Sequence, residues 1–195
     1  MSLALRERPP AASFIRAPGA GELPARLRAA GSEALRLPSG RSLILARARL
    51  ELPAWRGAPV YSFGHKSVLE LDGEPLYPEL AVLRLLERAG WRGAWVNAQR
   101  REFRTGLPNV TAPVGFTVGP AAALLHRLIH ERGSFAGAPD VAADRKGAVL
   151  LVEIMRWGDG GGRLAADRLD WIAAALDHDV PSACFLCVEW TTAAD

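Results

Sequence analysis

The spacing of apolar positions changes several times along the chain, and each change marks an element. Residues 78–89 place Leu80, Val82, Leu83, Leu85 and Leu86 on a broad apolar surface, with Arg84, Glu87 and Arg88 as a polar stripe. That spacing predicts a helix. Pro78 suits its first turn and Gly90 its end. Residues 120–132 predict a second helix, begun by Pro120 and stopped by Gly133. A third runs from about Leu164 to Leu176, with Ala165, Leu169, Ile172 and Leu176 on one face. Short apolar runs at Gly93–Asn97, Ala148–Met155 and Ala183–Trp190 predict strands. Asp140–Asp144 and Ala148–Met155 flank Arg145-Lys146-Gly147, which predicts a hairpin.

The region before residue 78 is less regular. Glu22–Ala30 reads as a short helix. Ala34–Leu37 and Arg41–Leu52 form a hairpin around Pro38-Ser39-Gly40, and Val60–Phe63 and Ser67–Leu71 form short strands before the Asp72-Gly73 turn. Gln99–Arg104 is a basic stretch and Leu107–Gly119 a loop. Gly158–Gly162 is a glycine loop without the Gly-Lys-Ser/Thr of a phosphate-binding loop. From residue 78 the order is α-β-α-β-β-α-β, an α/β pattern with a mixed sheet flanked by helices. At 195 residues, one domain with an extension is expected, since about 150 residues per domain is usual. Residues 1–20 read as a flexible arm, 21–72 as an extension packed on the core, and 73–195 as the main domain.

Composition narrows the class. Hydrophobic residues make up 49% and charged residues 23%, which excludes collagen-like, coiled-coil and wholly disordered chains. No apolar run approaches the roughly 20 residues of a membrane helix, so no membrane association is expected. Arg6, Arg8 and two prolines interrupt any signal-like pattern before residue 11, and a cytoplasmic location is expected. The net charge of +3 permits a nucleic-acid partner without requiring one. Lys66 and Lys146 are the sole lysines, which restricts any chemistry that needs an ammonium group.

The candidate chemistry lies in the second hairpin. Asp140 opens one arm and Glu153 lies near the end of the other, each in an apolar context. With the turn at 145–147 the two carboxylates come roughly opposite each other. Carboxylates on neighbouring strands repel and lose hydration, an arrangement that makes sense with a cation between them; hard oxygen ligands suit Mg²⁺ or Mn²⁺. The alternative places each at a solvated strand end. Glu79, in the first turn of its helix, stands off the polar stripe. It reads either as a group favoured by the helix dipole or as a third carboxylate directed at the hairpin.

Pro139-Asp140 followed by Glu153-Ile154-Met155, with Glu79 on a preceding helix, resembles the PD-(D/E)XK nuclease signature. The similarity is to its VRR-NUC branch, in which Gly137 to Trp171 is the matching stretch; Val152-Glu153 and Trp171 fall in place. The resemblance covers about Glu79 to Trp190. It implies a restriction-endonuclease-like mixed sheet and metal-dependent phosphodiester hydrolysis on DNA, branched or single-stranded. It also implies Asp140 and Glu153 as ligands of Mg²⁺ or Mn²⁺, with Glu79 as auxiliary carboxylate. The chain departs from the pattern at the lysine position, which is Met155. A thioether neither donates a hydrogen bond nor carries charge, and losing one transition-state stabiliser costs on the order of 10²–10³ in rate. Lys146 sits at the far tip of the hairpin. Arg156 points to the opposite strand face, and Arg163 and Arg168 lie on or near the third helix. An arginine there stabilises charge but is a poor base. The alternative function is therefore a catalytically degenerate nuclease fold serving as a nucleic-acid-binding or protein-interaction module; an incidental acidic pair is a third.

Other features are weaker. Arg100, Arg101 and Arg104 with Phe103 read either as a phosphate-holding, base-stacking run or as a solvated charge run, and Arg156, Arg163 and Arg168 join them as candidate nucleic-acid contacts. Cys184-x-x-Cys187 is expected to be core, its two thiols on opposite strand faces, rather than a redox pair or half a zinc site. His126 and His130 share a solvated helix face with Arg127 and Glu131. His65 and Lys66 mark a loop of unassigned reach, and the tryptophans are expected mostly in the core.

Overall fold

The computed structural model describes residues 15–19, 21–60, 66–158 and 163–193. Strands β1 (Gly31–Arg36), β2 (Ser42–Leu52), β5 (Arg92–Asn97), β6 (Glu102–Arg104), β7 (Val141–Arg145), β8 (Ala148–Arg156) and β9 (Phe185–Thr192) form one mixed sheet in the order β1-β2-β9-β8-β7-β5-β6. Strands β3 (Leu69–Leu71) and β4 (Glu74–Leu76) make a separate hairpin through the Asp72-Gly73 turn. The helices are α1 (Pro78–Arg88), α2 (Pro120–Arg132) and α3 (Ala166–Asp177). Neighbours β8 and β9 run parallel, as do β9 and β2; the other pairs in the sheet are antiparallel. Among the described residues no helix is long and apolar enough to cross a membrane.

Strand alternation divides the core into two layers. On β8, Ala148, Leu150 and Val152 join the layer of α1 and the β3–β4 hairpin, while Val149 and Leu151 join the layer of α2 and α3. β8 is therefore covered on both faces, which is why its sequence is a continuous apolar run.

Several expectations are revised by tertiary pairing. The segment 21–72, read as an extension packed on the core, contributes β1 and β2 to the sheet itself, because β2 pairs in parallel with β9 from Ala46↔Leu186 to Leu52↔Thr192. The helix expected at Glu22–Ala30 contracts to a 3-10 turn at Ala25–Leu27. The basic stretch contains strand β6, since Trp95↔Arg104, Val96↔Phe103 and Asn97↔Glu102 pair antiparallel. Of the arm 1–20, Arg16 bridges to Ala148 and forms a salt bridge with Glu22. Residues 61–63 of one expected strand, His65, and residues 159–162 of the glycine loop lie outside the described residues.

The segment before Asp140 is held by a close approach. Gly137 has φ +75°, and a Cβ there would run into the backbone carbonyl of Asp167 at the start of α3. Both the left-handed backbone and the contact select glycine. Gly137→Ala is expected to cost about 2–4 kcal/mol, combining backbone strain with overpacking. Urea denaturation checks this, and a loss below ~0.5 kcal/mol would show that the junction is pliable.

Candidate functional site

The register of the second hairpin sets the site. Lys146 and Gly147 turn the chain with φ +48° and +80°, and pairing runs from Arg145↔Ala148 to Val141↔Val152. One step further, Asp140 faces Glu153. The ladder does not continue there: the backbone N–H of Ile154 donates to Asp140 Oδ2 at 2.8 Å, and the Asp140 carbonyl accepts from the Val96 N–H at 2.8 Å. Asp140 thus closes the point where β8 parts from β7, and its side chain satisfies an amide that the strand leaves open.

Arg168 of α3 fills the space between the carboxylates. Its Nη2 lies 2.8 Å from Asp140 Oδ1, and its Nη1 lies 2.7 Å from Glu153 Oε2. Nη1 also donates to the Ala138 carbonyl. The fork geometry of a guanidinium suits such a bridge. Glu153 is only 4% exposed. Burial raises its carboxyl pKa well above the ordinary range against the pull of Arg168, and the negative charges of Asp140 and Asp167 push it further. Arg168 loses hydration too, but the charges of Asp140 and Glu153 more than compensate and hold its pKa above the usual arginine value.

A second ion pair lies beside the first. Glu79 is 7% exposed in α1, and its Oε1 accepts from Lys66 Nζ. Lys66 also stands 5.4 Å over the ring of Trp95. Burial raises the Glu79 carboxyl pKa; Lys66 opposes the rise and Asp140 adds to it. Glu79 Oε2 is buried without a hydrogen-bond partner. Asp140 therefore acts electrostatically on both glutamates, and among the described residues Arg168 and Lys66 are the cations that face them. Lys66 was the missed member. Its sequence signal is only that it is one of two lysines, because its approach to α1 depends on tertiary structure.

The Mg²⁺ or Mn²⁺ implied by the resemblance does not fit this arrangement. The guanidinium already engages one oxygen of Asp140 and one of Glu153, and Glu79 is engaged by Lys66. Among the described residues, no group of three or more His, Cys, Asp or Glu side chains is placed to hold a metal ion. Met155 is partly buried and packs against the α2–α3 layer, so nothing at the lysine position reaches the carboxylates as a donor.

The remaining candidates separate. Arg104 is 4% exposed and tied to Glu102 at 2.6 Å and the Thr111 carbonyl at 2.8 Å, so it is a loop fastener rather than a phosphate contact. Phe103 is buried against Phe116 and Phe135 and cannot stack a base. Arg100, Arg101 and Arg163 are exposed. Arg156 lies over the ring of Trp190 at 5.6 Å, on the face opposite Met155. Cys184 belongs to a 3-10 turn rather than the strand, so both cysteines enter the same layer, correcting the expectation of opposite faces. Burial pushes both thiol pKa values up to about 12, which leaves them protonated and unreactive near neutral pH. Trp157 departs from the core expectation at 48% exposed.

Removing Arg168 leaves two carboxylates without their cation. Arg168→Ala is expected to lose about 3–5 kcal/mol at neutral pH, with partial recovery in acid as Glu153 takes a proton. Glu153 binds its proton more tightly in the folded than in the unfolded chain. Its contribution is thus fully present below the unfolded value of about 4.3 and is lost as pH rises through the raised folded value. Glu153→Gln flattens that decline in urea-midpoint measurements across pH; an unchanged slope contradicts the assignment.

No protein-family model, no curated protein and no solved structure matches this chain, so the reading of the site rests on its own geometry.

Proposed function

We propose that this chain is a nuclease-like α/β protein that binds nucleic acid without cleaving it, its metal position taken over by an arginine. The observation that carries the reading is the Arg168 guanidinium between Asp140 and Glu153. A guanidinium supplies positive charge but cannot generate a hydroxide from bound water as a metal ion does. Met155 removes a further donor. The resemblance to PD-(D/E)XK domains is supported by the antiparallel β5-β7-β8 arrangement, the parallel β9 reached through α3, and the facing positions of Asp140 and Glu153. Exposed Arg100, Arg101, Arg156 and Arg163 offer charge for phosphate contacts.

A second reading, Mg²⁺- or Mn²⁺-dependent phosphodiester hydrolysis, is favoured by one observation. Glu79 Oε2 is buried and unpartnered, and Glu79 is electrostatically linked to Asp140. A ligand there would complete its hydrogen bonding.

A panel of single-stranded, flapped and branched DNA separates the two. The expected result is binding that weakens about tenfold or more between 50 and 200 mM salt, as several phosphate contacts imply, with no cleavage in Mg²⁺ or Mn²⁺. Met155→Lys alone restores no cleavage, because Arg168 still bridges the carboxylates. Mn²⁺-dependent cleavage by wild type that disappears in Asp140→Ala establishes the second reading instead.

A further inference from the structure

Beyond the carboxylates, the face of β8 that carries Glu153 continues through Met155 to Trp157, at i, i+2 and i+4. The backbone N–H of Trp157 donates to the Trp190 carbonyl at 2.7 Å, which carries the strand's pairing one residue past its end. At roughly 3.3 Å per residue, Trp157 stands about 13 Å from Glu153 along the strand. The same face receives Arg47 and Arg49 from β2 and Glu189 from β9, since Arg49 and Met155 both register with Glu189. The apolar residues of α2 and α3 pack against the earlier part of this face, around Val149, Leu151 and Cys187. Its later part forms an open cavity of about 250 Å³ lined by Arg49, Leu50, Glu51, Trp157, Glu189 and Thr191.

This cavity is small and has a definite chemistry. Arg49 lies 4.0 Å from the centre of the Trp157 ring, while Trp157 remains 48% exposed. The lining therefore offers a half-exposed aromatic ring in contact with a guanidinium, which suits a planar aromatic group. Glu51 and Glu189 line the same space. Two carboxylates repel a phosphate but accept hydrogen bonds from an exocyclic amine. Arg47 is held between Glu33 and Glu189, fixing the Glu189 side chain at the edge of the cavity. A flat ring with amine donors fits these groups, and a phosphate does not. Duplex bases are stacked on one another and cannot enter. Met155 lies between Trp157 and Glu153 along β8, where a polarizable thioether makes favourable contact with a ring.

We infer that the Trp157–Arg49 cavity takes an unstacked, amine-bearing base of a single strand, with Met155 as the apolar step toward the carboxylates. This rests on the nucleic-acid reading above and names its substrate as single-stranded.

The test is fluorescence anisotropy with a labelled oligo(dC) of about 20 nucleotides, long enough to cover a typical single-strand site, and with its duplex. Proteins are wild type, Trp157→Ala and Trp157→Phe, each first shown to retain its urea midpoint. The expected result is tighter binding of the single strand than of the duplex. Trp157→Ala should weaken single-strand binding roughly tenfold, the scale of one lost stacking contact, and Trp157→Phe should recover much of it. Wild-type binding that Trp157→Ala leaves unchanged overturns the cavity while keeping nucleic-acid binding. Equal or tighter binding of the duplex overturns the single-strand assignment. Failure to bind either probe overturns both this inference and the reading on which it rests.

Discussion

A carboxylate removed from water needs a cation or a proton, and Glu153 faces Arg168. Much of the architecture follows from that requirement. Glu153 is placed deep by the turn and register of the hairpin and enclosed by the α2–α3 layer. Asp140 faces it from the start of β7 and also completes the open amide of Ile154. The guanidinium joins the two, ties the loop through the Ala138 carbonyl, and so fixes the start of α3 against the hairpin. Gly137, which permits the close approach of the two backbones, belongs to the same construction. A buried ion pair of this kind is weak evidence for stability gain, because desolvation offsets much of the attraction.

The two cations divide the cluster into halves. Lys66 and Glu79 sit on the α1 side, next to Trp95, while Arg168 and Glu153 sit on the α3 side. Asp140 links them electrostatically. Positive charge is thereby supplied from two distant parts of the chain to a position where the strand itself offers Met155. Beyond Met155 the same strand face leads to Trp157, whose ring meets the Arg49 guanidinium.

The sequence made the hairpin, its turn and the opposition of Asp140 and Glu153 readable, because the strand period of two fixes register once a turn is located. The three helices were readable from their apolar stripes and their Pro and Gly ends. Strand β6 was not, since Phe103 is its only apolar residue and its neighbours are charged. The parallel pairing of β2 with β9 joins segments about 140 residues apart and leaves no local signature. For the same reason Arg168 was seen only as a basic residue near a helix, and Lys66 only as a lysine in a loop. Periodicity identifies which face a side chain occupies, but not which distant charge will arrive there.

On the proposed reading, the Arg168 guanidinium occupies the position between Asp140 and Glu153 that a metal ion would hold in a nuclease. Crystals soaked in Mn²⁺ and measured at the manganese absorption edge test it most directly. The account predicts Arg168 in contact with both carboxylates and no anomalous scattering between them. An anomalous peak bound by Asp140 and Glu153, with Arg168 displaced, would contradict it.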